Sequence, residues 1–124
     1  MIKFRAWYMP FGKYGAMQEM VYSRASHILA LAETEPEKCI PEQFTGLTDV
    51  NGKDIYEGDI IVSEPTEPIL GSPKIGVVKL SKVSFSWCFV TGNIEYNIWK
   101  TDKYRTYEVI GNVHENPELL EVDK

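Results

Sequence analysis

The sequence predicts a mainly β protein of the β-rich α+β class. Three observations carry this expectation. Residues 43–62, QFTGLTDVNGKDIYEGDIIV, set three turn signals among three short runs of strand-forming residues. Residues 83–90 alternate Val83, Phe85, Trp87 and Phe89 with Ser84, Ser86 and Cys88, the two-residue period of a strand with one buried face. Aromatic residues make up 12% of the chain, and such side chains pack well on a pleated surface.

Taken in order, Ile2, Phe4 and Ala6 alternate with Lys3, Arg5 and Trp7, which predicts a first strand over residues 2–8, buried on one face. Pro10, Gly12 and Gly15 break it into a loop, and residues 17–22 read as a returning strand. Residues 23–31 stay open between helix and strand, because Val21, Ala25, Ile28, Leu29 and Ala32 also fit a helical period. Residues 33–42, acidic and with two prolines, read as a connecting loop. Strands follow at 44–48 and 54–56, joined by Asn51-Gly52, the dipeptide that a type I′ hairpin turn prefers because both central residues need positive φ. Gly58 stands third in the turn Tyr56-Glu57-Gly58-Asp59, where a type II geometry needs positive φ. Ile60, Ile61 and Val62 then form a strand buried on both faces, and residues 63–74, rich in proline, form a second long loop. Further strands are expected at 75–80, 83–90, 94–98 and 106–113, with Val83, Phe85, Trp87 and Phe89 facing the core. Asn116 reads as an N-cap and Pro117 as the first residue of a short C-terminal helix reaching Glu121.

Three of these segments carry a family resemblance. Phe44-Thr45-Gly46-Leu47-Thr48-Asp49 followed by residues 51–60, the opening Ile2-Lys3-Phe4-Arg5-Ala6-Trp7, and residues 107–120, YEVIGNVHENPELL, resemble the YopX family of phage and prophage proteins. The resemblance implies an SH3-like barrel component with additional N-terminal strands, and an origin in a bacteriophage or integrated phage. It implies no activity and no catalytic residues. Residues 23–42 and 63–105 carry no part of it.

A chain of 124 residues is expected to be one YopX-like domain, 1–124, with room for an N-terminal subdomain over 1–42 beside a barrel-like core over 43–124. With 44% hydrophobic and 25% charged residues it is an ordinary globular composition and not a disordered one. A net charge of −5 disfavours generic binding to a phosphate backbone, which relies on a basic surface. Cys39 and Cys88 match no zinc or redox spacing and read as free thiols. No apolar run approaches a membrane span and the N-terminus lacks a signal-like apolar region, so the host bacterial cytoplasm is the expected location, with no membrane partner.

Enzyme chemistry needs a base, nucleophile or metal beside an orienting neighbour. His27 and His114 stand alone, and there is no Gly-rich phosphate loop, GxSxG elbow or HExxH pair. Asp49, Asp54, Glu57 and Asp59 crowd the central hairpins and offer oxygen ligands to a divalent cation. Aspartate is also a preferred turn residue because it bonds its own backbone, and that reading is taken for Asp49 and Asp59. Asn51, Gly52, Glu57, Gly58 and Asp59 are accordingly structural turn residues, and no catalytic residue, metal ligand or cofactor is assigned. The candidate binding face is aromatic and basic: Trp7, Tyr56, Trp99, Lys100, Lys103, Tyr104 and Arg105. Such rings fill subunit interfaces or stack on nucleic-acid bases. The expected function is therefore a non-enzymatic interaction or self-assembling module, pairing as a homo-oligomer or with a phage or host protein. The alternative is a single-stranded nucleic-acid-binding protein, and more remotely a metal-dependent enzyme at residues 49–59.

Overall fold

The computed structural model describes residues 3–98 and 104–121. The fold is mainly β, and the chain divides into two compact units, Met1–Phe44 and Thr45–Lys124.

The first unit holds β1 (Lys3–Tyr8), β2 (Glu19–Arg24), α1 (Ala25–Thr34) and the start of β3 (Cys39–Thr48). β1 runs between β2 and β3, antiparallel to both, so that Ala6 faces Val21 on one side and Pro41 on the other. The segment left open by the sequence turns from strand to helix at Ala25, and Ile28, Leu31 and Ala32 set one apolar stripe on α1. That stripe covers Ala6 and Cys39, with Phe4 and Val21 packed beside them.

Three expectations for this unit are corrected. β2 begins at Glu19, two residues later than expected, because Met17 sits in the left-handed region at φ 62 and belongs to the loop. β1 is buried on both faces, since Arg5 and Trp7 are buried as well as Ala6. The loop expected over 33–42 ends at the turn of residues 36–38, and Cys39 already opens β3. Its register against β1 places Glu42 opposite Arg5, where the two side chains pair. Pro41 and the acidic composition hid that strand.

The second unit carries the end of β3, β4 (Asp54–Tyr56), β5 (Asp59–Pro65), β6 (Lys74–Leu80), β7 (Trp87–Thr91), β8 (Ile94–Asn97) and β9 (Arg105–Asn112), with 3₁₀ turns at Pro68–Leu70 and Pro117–Glu121. β4 is the last strand of the four-stranded order β2-β1-β3-β4. The other sheet is five-stranded and antiparallel in the order β8-β7-β6-β5-β9, and it is not a closed barrel. Its inner face buries Ile55, Ile61, Val78, Phe89, Ile98 and Tyr107 as one core. Gly76 leaves no room there for a larger residue: a Cβ would lie 2.6 Å from the Val90 carbonyl oxygen and 2.9 Å from the Phe89 ring.

The central reversal occurs where expected but in another geometry. Gly52 has φ 83 while Asn51 is not among the residues with positive φ, and the Gly52 N–H donates to the Asp49 carbonyl at 3.0 Å. This is a type I turn closed by a left-handed glycine and not a type I′ turn. Asp49 selects it: Oδ1 accepts the N–H groups of Asn51 and Lys53, each at 2.9 Å. Gly58, at φ 87, makes the second corner as expected.

The strand expected over 83–90 begins only at Trp87. Residues 81–86 form a turn around Ser81, whose hydroxyl oxygen accepts the N–H groups of Val83 and Ser84 and whose carbonyl accepts that of Phe85. Phe85 is driven to φ 55, a conformation that costs a bulky residue about 1 kcal/mol or more. Val83 and Phe85, expected in the core, are 87% and 78% exposed. At the C-terminus Pro117 opens a 3₁₀ turn, but the Asn116 side chain points back and accepts the Asn112 N–H at 3.3 Å. No helix of the described residues is long and apolar enough to cross a membrane.

Candidate functional site

On the inner side of the five-stranded sheet lies a cleft of about 380 Å³ whose wall and floor come from β6, β7, β8 and β9. Pairing of Phe89 with Tyr96 across β7 and β8 brings their rings into a stack, centroids 5.3 Å apart and planes 23° from parallel. Tyr107 on β9 meets Phe89 edge-on at 6.2 Å. Phe89 and Tyr107 are buried and belong to the core, so the floor is fixed by packing.

Two cations line this cleft. Lys74 Nζ lies 5.4 Å from the Tyr96 ring centroid, on the first residue of β6. Arg105 is held by its own backbone-directed bonds: Nε donates to Ser63 Oγ at 2.6 Å, and Nη2 donates to the carbonyls of Ser63 and Ser72, each at 2.9 Å. Ser63 is fully buried beside Tyr107 in the β5–β9 register, which sets where that guanidinium sits. Glu95 also lines the cleft, but its Oε1 accepts the Ser81 hydroxyl at 2.8 Å and its Oε2 lies 3.4 Å from Lys79 Nζ. An aromatic floor under positive charge suits an apolar or aromatic group that carries an anionic end.

Among the described residues of the face expected from the sequence, only Arg105 lines this cleft. Trp7 is buried in the first unit, its Nε1 donating to Gln18 Oε1 at 3.0 Å, and Tyr56 is buried in the second, so neither presents a ring to solvent. Tyr104 is 61% exposed beside Arg105 and outside the cleft lining. Trp99, Lys100 and Lys103 lie outside the described residues. Lys74, Phe89, Tyr96, Asn97 and Tyr107 were missed as site residues. The rings fall on alternating positions of expected strands, yet only the pairing of four strands, which no local pattern encodes, makes them one surface.

The central carboxylates serve the backbone. Asp49 Oδ2 accepts the Val109 N–H at 3.0 Å, in addition to the two bonds of Oδ1, and Asp59 Oδ2 accepts the Tyr56 N–H at 2.8 Å. Among the described residues no three His, Cys, Asp or Glu side chains group as metal ligands. Cys39 and Cys88 are both buried free thiols. Burial pushes each thiol above its ordinary range, with Glu35 adding to the rise at Cys39 and Glu95 at Cys88. His27, in the first turn of α1, has its Nδ1 2.8 Å from Ser23 Oγ.

Fold and cleft together define a small mainly β protein with two antiparallel sheets and a concave aromatic surface. The chain belongs to the YopX protein family, whose model matches residues 3–121. It is also similar to the crystal structure of protein EF1440 from Enterococcus faecalis, at 25% identity over 97% of this chain and 98% of that one, with a TM-score of 0.53. No curated protein matches it.

Proposed function

We propose that this chain is a phage- or prophage-encoded, non-enzymatic interaction module of the host cytoplasm, and that it binds a protein segment in the cleft at Tyr96. Family membership supports the origin. The second unit is read as an SH3-like barrel left open: β5 to β8 follow one another as a meander, and β9 returns to pair with β5. The observation that carries the function is the half-buried Tyr96 ring beneath Lys74, backed by the buried Phe89, a preformed apolar seat with a cation at its rim. It fits an extended peptide that offers one apolar or aromatic side chain and a nearby carboxylate. A nucleic-acid strand fits less well, because a chain of net charge −5 repels a row of phosphates.

Peptide-display selection on the wild type and on Lys74→Glu tests this. Enriched peptides should carry an acidic residue near an aromatic one and bind the variant at least about tenfold more weakly. Failure to enrich any sequence, or equal binding to both proteins, contradicts the reading. Salt-sensitive binding of an oligothymidine that Lys74→Glu abolishes would move the assignment to nucleic acid.

A further inference from the structure

The turn at residues 81–86 holds two large apolar side chains in solvent, and it holds them firmly. The Ser81 N–H donates to the Ser86 carbonyl at 2.9 Å, and the Ser81 hydroxyl donates to Glu95 while accepting the N–H groups of Val83 and Ser84. Ser84 and Ser86 join their hydroxyls at 2.7 Å, and Ser86 reaches Asn97 at 3.3 Å. A loose hairpin end would let Val83 and Phe85 fold down onto the sheet. This one spends a left-handed backbone at Phe85 to keep them out.

The outer face of the same sheet carries a groove lined largely by apolar side chains. An open groove of about 610 Å³ is lined by Ile75, Val77, Val90 and Leu120 of the C-terminal 3₁₀ turn, with Lys79, paired to Glu95 at 3.4 Å, also in its lining. Ile75, Val77 and Val90 are only half-buried there, and Leu120 is 40% exposed. The knob and the groove lie on one unit, yet Val83 and Phe85 remain bare, so the knob does not fill the groove of its own chain. Charge fits as well: Lys82 flanks the knob and Glu118 flanks Leu120, both exposed and neither ion-paired among the described residues.

We propose that the turn at residues 81–86 seats Val83 and Phe85 in the Ile75, Val77, Val90 and Leu120 groove of a second copy of this chain, with Lys82 facing Glu118 of that copy. Two copies laid outer face to outer face with their strands antiparallel exchange knobs in a closed, two-fold contact. Neither Val83, Phe85 nor the groove residues line the aromatic cleft, although Glu95 and Asn97, which hold Ser81 and Ser86, do.

Sedimentation equilibrium on the full chain tests this. The wild type should dimerise, and Phe85→Asn, which suits a left-handed position, should dimerise at least about tenfold more weakly. Lys82→Glu and Glu118→Lys should each weaken association, and the double exchange should restore it. Lys74→Glu, in the cleft, should dimerise like the wild type, so that failure of the cleft reading leaves this result intact. A wild type that stays monomeric at high concentration, or a Phe85→Asn chain that associates like the wild type, overturns the proposal, and the knob then serves a different protein.

Discussion

Replacing Arg5 with alanine should cost the first unit about 3–5 kcal/mol, the loss typical of stranding one partner of a buried ion pair. Arg5 Nε lies 2.9 Å from Glu42 Oε1, and the two side chains are only 4% and 5% exposed. Both charges were taken out of water when β1 and β3 paired, and each compensates the other. Removing the guanidinium takes its charged partner from a buried carboxylate, which costs far more than the pair itself contributes. The pair itself adds little net stability, since desolvation offsets most of the attraction. Arg5→Met combined with Glu42→Leu should therefore unfold in urea close to the wild type, while each single change unfolds much earlier. Equal losses in the single and double variants would show that the pair contributes more than mutual compensation.

Asp49→Ala should destabilise the second unit by about 3 kcal/mol, because bonds to a charged acceptor carry more than neutral ones and several are lost together. One carboxylate collects the N–H groups of Asn51, Lys53 and Val109. It thus joins the hairpin between β3 and β4 to the middle of β9, alongside the Val50 N–H bond to the Tyr107 carbonyl. Asp49→Asn keeps one carbonyl oxygen and should lose about half as much. Amide exchange should speed up at Asn51, Lys53 and Val109 in both variants. Unchanged protection at Val109 would contradict this role.

The parts of this structure visible in the sequence are those fixed by neighbours along the chain. Gly52 and Gly58 mark their corners because positive φ is a local demand. Ile60 and Ile61 announce a doubly buried strand because both neighbours must be apolar. The failures lie where distant groups decide. The alternation of Val83, Phe85, Trp87 and Phe89 is a valid strand pattern, yet Ser81 captures the backbone of its first half and ends the pairing at Leu80 and Trp87. β3 was hidden at its start because Glu42 is buried by a partner 37 residues away in sequence. The cleft was illegible for the same reason: Lys74, Phe89, Tyr96 and Tyr107 meet only through the register of the sheet.

On this account the apolar side chains of the 81–86 turn, Val83 and Phe85, serve a partner and not the core. The unfolding free energy of Phe85→Asn in dilute solution addresses it most directly. Asparagine tolerates the left-handed backbone and the exposed ring packs against nothing that folding needs, so stability should hold or rise by about 1 kcal/mol. A loss of about 3 kcal/mol, the mark of a truncated core aromatic, would contradict it.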